Sequence, residues 1–137
     1  MAEEIRELGV VGAGFMGSGI AESAARVGVT VKLYEPDDGP LQLSSSRIES
    51  SVARVVQRGR LSEEDATALV DRIAWSTDLE SLSGADLVIE AIVEDEQIKA
   101  DTFKQLDAVA KPEAILASNT SSIPIAGLAA ATGRPDR

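Results

Sequence analysis

Ile5-Arg6-Glu7-Leu8-Gly9-Val10-Val11 runs without a break into Gly12-Ala13-Gly14-Phe15-Met16-Gly17, and the reading of this stretch decides the fold. Ile5 to Val11 predicts a short apolar strand, and the glycines open a helix. Met16, Ile20, Ala24 and Val27 recur at spacings of four, four and three, so they are the face expected to turn inward. Gly28 is the expected stop, being able to take positive φ past the helix end. Val29 to Tyr34 predicts a second strand, which ends on Glu35.

Strand, glycine turn, helix, strand and acid in this order make a unit that cradles a dinucleotide. Gly12 is expected to turn the chain out of the strand, Gly14 to bare the backbone to a pyrophosphate, and Gly17 to let the helix lie close on the sheet. The first-turn N–H groups of that helix, with the positive end of its dipole, would face the phosphates. Glu35 follows Gly17 by 18 residues, close to the ~20 expected of the acid that accepts from the adenosine ribose. A carboxylate there repels a 2′-phosphate, so NAD rather than NADP is the expected cofactor. A glycine triplet alone is weak support; both strands, the helix and the acid in register make it specific.

The length of 137 residues predicts one domain, and 44% apolar residues are enough for a real core. A formal net charge of −10 argues against nucleic-acid binding. It also means that an anionic ligand must be held by helix ends and a few basic side chains against the overall field. The chain has no cysteine and no histidine. That removes thiolate chemistry, the commonest general base and the usual metal imidazole, and no metal site is expected. The acidic start, Met1-Ala2-Glu3-Glu4, is no signal peptide, and no apolar run approaches membrane-spanning length. A cytoplasmic protein without a membrane partner is the expectation.

Beyond Glu35, the cluster Pro36-Asp37-Asp38-Gly39-Pro40 predicts a turn that opens a helix near Pro40, with Leu41, Ile48, Val52 and Val55 at helical spacing and a stop at Gly59. Ser62 is the expected cap of a further helix ending near Ile73, with Asp65 three residues on. Arg54, Arg58 and Arg60 cluster ahead of it. Ile73 to Ser76 predicts a third strand, in which Trp75 packs in the core or at the edge, and Asp78 to Gly84 a helical turn. Leu87 to Val93 is an apolar run broken once, by Glu90, as expected of a strand buried on both faces. Asp95 to Ala110 predicts a helix with Ile98, Thr102, Leu106 and Val109 inward. Ala114 to Ala117 predicts a fifth strand, and Pro124 starts a last helix. Strands alternating with helices imply an α/β, Rossmann-type, doubly wound parallel sheet of order 3-2-1-4-5. Its switch point, between strands 1 and 4, would gather the glycine turn, Ala91-Ile92-Val93-Glu94 and Ser118 to Ser122 around one crevice. The outer edge of strand 5 is expected to stand unpaired.

Gly-Ala-Gly-Phe-Met-Gly at 12–17, Glu35, Ile89-Glu90-Ala91-Ile92-Val93-Glu94 and Ala117-Ser118-Asn119-Thr120-Ser121-Ser122-Ile123-Pro124 together resemble the N-terminal part of 3-hydroxyacyl-CoA dehydrogenases, including the bacterial 3-hydroxybutyryl-CoA enzymes. The last two motifs are the more specific, and the resemblance runs over essentially the whole chain. It implies reversible, NAD-dependent oxidation of a 3-hydroxyacyl-CoA. Residue by residue, it implies that Gly12, Gly14, Phe15, Met16, Gly17 and Glu35 hold the ADP half of the cofactor. Ala91, Ile92, Glu94, Lys99 and Asn119 would serve its nicotinamide-ribose side. Ser121 would stand at the reacting oxygen, as catalytic and substrate-binding residue, and Ser51 and Arg58 would touch the CoA. The family's catalytic histidine, its glutamate partner and a dimerising helical domain are implied to lie past Arg137. Residues 1–137 are therefore expected to be the cofactor-binding domain, ending before its last strands, inactive alone and homodimeric only with that helical domain.

Plainer readings stand beside these. Ser121 or Ser122 could cap the last helix, and Asn119 could hold its turn through an Asx bond. Lys99 could pair with Asp95 at the surface, Glu94 could be a helix-start charge, and the arginines could be a solvated face. Glu90 and Glu94 are the nearest carboxylates to the crevice, and ordinary carboxylates are weak bases at neutral pH. Two other functions fit the dinucleotide unit: a non-catalytic NAD sensor or structural module, and a β-hydroxyacid dehydrogenase acting on a small free acid.

Overall fold

Alternate residues of the first strand serve two separate cores, and the architecture follows from that alternation. The computed structural model describes residues 4–137, so Met1, Ala2 and Glu3 of the acidic start lie outside the described residues. The strand is β1 (Glu7–Val11), followed by α1 (Phe15–Arg26), β2 (Thr30–Tyr34), α2 (Asp38–Gln57), α3 (Glu63–Asp71) and β3 (Ile73–Ser76). A 3-10 turn (Leu79–Leu82) leads to β4 (Leu87–Glu90), α4 (Glu96–Val109), β5 (Ile115–Ser118) and α5 (Ile125–Ala130). Leu8 and Val10 pack with Val31, Leu33, Leu41 and Ile48 in a core shared with α1, α2 and α3. Val11 points the other way, to Leu82, Val88 and Leu106. Complete burial of Val10, Val31 and Leu33 contributes about 1.5–3 kcal/mol each.

The sheet is wholly parallel, in the order β3-β2-β1-β4-β5. Val11 lies opposite Tyr34 on one side and Glu90 on the other. The first two crossovers thus leave β1 in one direction and the later ones in the other, which sets a switch point at the C-terminal ends of β1 and β4. Ser62 Oγ accepts from the Asp65 N–H at 3.0 Å and caps α3. Half-buried Trp75 donates from Nε1 to Ser44 Oγ at 3.2 Å, and Ser44 in turn bonds Ser18 Oγ at 2.8 Å, a buried polar link between α1, α2 and β3.

Several boundaries and faces differ from the sequence reading. β1 begins at Glu7 rather than Ile5, α2 at Asp38 rather than Pro40, and β5 spans Ile115–Ser118. In α1 the buried residues are Gly17, Ser18, Ala21 and Ala25, while Met16 and Val27 are exposed. The inward face is made of small residues because the helix lies so close to the β1 turn. β4 ends at Glu90, and Ala91 to Val93 form a loop whose apolar side chains line a cleft. α4 is rotated by about one residue: Lys99, Phe103 and Leu106 are buried, while Ile98 is exposed.

The C-terminal part is pinned by Arg134. Its Nε donates to Asp107 Oδ1 at 2.7 Å, and its other nitrogens reach the carbonyls of Asp107, Ala110 and Lys111 at the end of α4. Those carbonyls have no helical partners, so a distant arginine serves as the C-cap. The edge of β5 is not wholly bare, because Leu116 N–H donates to Arg137 O at 2.8 Å. No helix among the described residues is long and apolar enough to cross a membrane.

Asp86, just ahead of β4, ties the start of β1 to the turn before β5. It accepts from Lys111 Nζ and from the Arg6 and Glu7 N–H groups, which pulls its carboxyl down from 3.8 to about 2. A group held lower in the folded than in the unfolded chain stabilises fully above its unfolded value and ceases to as pH falls through its folded one. The stabilisation is therefore expected to fade from about pH 4 down to about pH 2. In urea melts across that window, Asp86→Asn should flatten the fall in stability; a variant whose acid limb matches the parent's would contradict this.

Candidate functional site

A cleft of about 420 Å³ opens at the switch point, lined among others by Gly12, Gly14, Glu35, Ala91, Ile92 and Ile98. Its geometry begins with two backbone contacts. Gly12 has φ +115°, and a Cβ on it would stand 2.4 Å from Ala91 O. A Cβ on Gly17 would stand 1.9 Å from Gly12 O. The glycine turn is therefore pressed against both the loop after β4 and the first turn of α1, and no side chain fits at either place. Gly14 is different: a Cβ there meets nothing within 4 Å.

Gly14 is also the N-cap of α1 and supplies no side-chain cap. The first bond of the helix is Ser18 N–H to Gly14 O at 3.0 Å. The N–H groups ahead of Ser18 have no place in the helix ladder and are available to an anion, which the helix dipole favours. Glu35 closes the opposite side. Its N–H bonds Ser76 O at 3.2 Å, and its carboxylate accepts from the Ala13 N–H at 3.2 Å, so the acid stands at the glycine turn.

The loop after β4 lines this cleft, and the 118–122 loop, which does not line it, is bonded to that loop from behind. Glu90 is fully buried at the end of β4. Both its oxygens accept from Lys99 Nζ at 2.8 Å, Oε1 also from the Ser118 hydroxyl, and Oε2 from the Ile92 N–H at 3.2 Å. Lys99 Nζ lies 3.4 Å from Glu94 Oε1, which accepts from the Thr120 hydroxyl at 2.8 Å. Asn119 N–H donates to Glu90 O at 2.9 Å. The three loops that the topology was expected to gather are thus in contact.

Among the cofactor candidates, Gly12, Gly14, Glu35, Ala91 and Ile92 line the cleft. Phe15 is exposed, with the Arg47 guanidinium 4.1 Å from its ring centre, and Met16 is exposed beside it. Glu94 is half-exposed, and Lys99 is 2% exposed. The surface pairing of Lys99 with Asp95 is not what forms; Asp95 instead caps α4 through Ile98 N–H at 2.9 Å. Ser121 is exposed and caps nothing, since Pro124 occupies the N-cap of α5 without a side-chain bond. The turn before α5 is held by Ser118 Oγ, accepting from Thr120 N–H, and by Thr120 Oγ1, accepting from Ser122 and Ile123 N–H, rather than by an Asx bond of Asn119. Ser51 sits on the later half of α2, half-buried, and Arg58 is the exposed C-cap that ends it; both lie outside the cleft lining.

Glu90, Ser118 and Thr120 were not singled out as site residues. Two signals pointed to Glu90, a carboxylate inside an apolar strand and a lysine at 99 in phase with Phe103 and Leu106, and neither marked Ser118 or Thr120. Two buried charges nine residues apart require one another. Among the described residues, no group of three or more acidic side chains could hold a metal ion.

Residues 7–137 match the family model for the NAD binding domain of 3-hydroxyacyl-CoA dehydrogenase. A 3-hydroxybutyryl-CoA dehydrogenase of Mycobacterium tuberculosis is 48% identical over 100% of this chain and 48% of its own length. The mitochondrial hydroxyacyl-coenzyme A dehydrogenase of Homo sapiens is 40% identical over 97% of this chain and 44% of its own. The crystal structure of (S)-3-hydroxybutyryl-CoA dehydrogenase from Ralstonia eutropha superposes with TM-score 0.94 at 41% identity, covering 97% of this chain and 47% of that one. The chain thus spans about half the length of the curated relatives it matches.

The two glycines give opposite expectations. Gly14→Ala should leave stability within about 0.5 kcal/mol and weaken NADH binding about tenfold or more by filling the anion cradle. Gly17→Ala should cost about 1–3 kcal/mol of stability through overpacking. Urea melts and NADH titration of both variants check this, and a Gly14→Ala variant that keeps full affinity would refute the cradle. Glu35→Ser should raise NADP affinity relative to NAD about tenfold by removing a like-charge clash; an unchanged ratio, read by competition titration, would remove Glu35 from the ribose.

Proposed function

The chain belongs to the NAD-binding domain family of the 3-hydroxyacyl-CoA dehydrogenases, and from that premise we propose that it is the cofactor half of an enzyme that moves hydride between a 3-hydroxyacyl-CoA and NAD. Relatives named for 3-hydroxybutyryl-CoA make that the favoured substrate. The observation that carries the reading is the cleft itself: open space at Gly14, unladdered amides at the start of α1, and Glu35 across from them. In an acidic chain these dipoles do what basic side chains do elsewhere.

The assignment of residues follows. Gly12, Gly14, Phe15, Met16 and Gly17 hold the diphosphate, and Glu35 accepts from the adenosine ribose. Ala91, Ile92, Glu94, Lys99 and Asn119 flank the nicotinamide half. Ser121, exposed in the loop after β5, faces the reacting oxygen, and Ser51 on α2 and Arg58 at its C-cap take the CoA, an arginine suiting phosphate through its planar donor fork. When bound, NAD supplies the hydride acceptor, and the protein supplies orientation and electrostatics. Ile92, Val93 and Ile98 give the cleft an apolar wall.

A base must take the hydroxyl proton. Glu90 has both oxygens on the Lys99 ammonium, and Glu94 holds the Thr120 hydroxyl. The 137 residues contain no histidine. We assign the base to another segment of the whole protein, where the family resemblance implies a histidine.

The test is the 137-residue chain by itself. It should bind NADH weakly in a calorimetric titration, and oxidise 3-hydroxybutyryl-CoA at least about a hundredfold more slowly than an intact relative, the usual worth of a general base. Turnover at a comparable rate would overturn the assignment of the base, and no binding of NADH would overturn the cofactor reading.

A further inference from the structure

Glu90, Lys99, Glu94, Thr120 and Ser118 form a closed ring. Lys99 Nζ bonds both oxygens of Glu90 at 2.8 Å and approaches Glu94 Oε1 to 3.4 Å. Glu94 Oε1 accepts from Thr120 Oγ1 at 2.8 Å, Thr120 N–H donates to Ser118 Oγ at 3.1 Å, and the Ser118 hydroxyl returns to Glu90 Oε1. The ring draws on the end of β4, the loop behind it, the first turn of α4 and the end of β5.

Stability does not explain such a pair. Glu90 is 0% and Lys99 2% exposed, and withdrawing two charges from water costs about as much as their attraction returns. A pair of packed apolar side chains would hold β4 and α4 together as well. What the ring adds is geometry. A carboxylate held by four hydrogen bonds from three donors cannot rotate, so the ammonium is fixed, and with it the two loops on either side of it. Ser121 follows Thr120 directly, and Glu94 is the one half-exposed member of the ring, standing toward solvent at 48%.

We propose that Glu90 and Ser118 are positioning residues: through Lys99 and Thr120 they lock the 91–94 and 118–122 loops into one rigid wall that receives the nicotinamide half of the cofactor. This rests on the cofactor reading above. The ADP half lies on the other wall, formed by the glycine turn and Glu35; it meets the backbone of Ala91, but no side chain of the ring bonds to it. The ring therefore separates the two halves of the ligand, which an ordinary packing role would not do.

The experiment titrates the 137-residue chain with NADH and with ADP, which lacks both the nicotinamide and the ribose that carries it. Glu90→Gln keeps the shape but leaves the Lys99 ammonium without its buried counter-charge, and should weaken NADH about tenfold while leaving ADP within about twofold. Ser118→Ala, a milder change, should weaken NADH about threefold with ADP again unaffected. Should Glu90→Gln lose its fold by circular dichroism, Ser118→Ala decides alone. Parallel loss of both ligands, or undiminished NADH affinity in a folded variant, would overturn the proposal. NADH binding no tighter than ADP on the unaltered chain would overturn it too, with the ADP site intact. Failure of the unaltered chain to bind either ligand would instead bring down the cofactor reading itself.

Discussion

Two carbonyl oxygens, those of Gly12 and Ala91, decide where everything else in this domain can stand. The first turn of α1 rests on Gly12 O and the glycine turn rests on Ala91 O, each at a distance that excludes a Cβ. Close stacking of bare backbone aims the start of α1 into the space between β1 and β4. Had either glycine been alanine, the helix would have had to tilt or retreat, and its amides would point elsewhere. Packing at this density transmits small displacements rather than absorbing them.

The charge balance makes that aim matter. A chain of net charge −10 repels a dinucleotide at long range, so the attraction must be local. Backbone amides at a helix start provide it without adding a basic residue, and Glu35 opposite them selects among sugars by what it repels. The same economy governs the second wall of the cleft. One buried ammonium, shared between Glu90 and Glu94, ties the start of α4 to the end of β4 and the loop between them, and Ser118 and Thr120 join the end of β5 to the same carboxylates. Burial makes this pair demanding, since a lost partner leaves a charge stranded, and demanding interactions specify geometry better than they stabilise it.

Much of this was legible in the linear order of residues. The βαβ unit, the parallel sheet and its strand order follow from apolar runs alternating with helical periods, because crossover handedness leaves few arrangements. The cap at Ser62 was legible from three neighbouring residues. The inward faces of α1 and α4 were not. Periodicity weighs residues by hydrophobicity, and α1 buries Gly17, Ser18 and Ala21 because room, not greasiness, was limiting there. In α4 a lysine occupies an inward position, which a count of apolar residues passes over. Ser118 and Thr120 looked like turn residues and are that, yet they also carry the bonds that set the site.

The sequence by itself determined the class of ligand and the order of the strands, since both are written in local patterns: a glycine spacing, an acid at the next strand's end, and runs of fixed period. Only the tertiary structure decided which side chains face one another across the cleft. Glu90 and Ser118, or Glu94 and Thr120, meet because parallel strands bring their ends to one edge, and Lys99 reaches Glu90 because α4 folds back over the end of β4. Hydrogen bonds between such residues depend on distances through space, which the separation of residues along the chain does not encode.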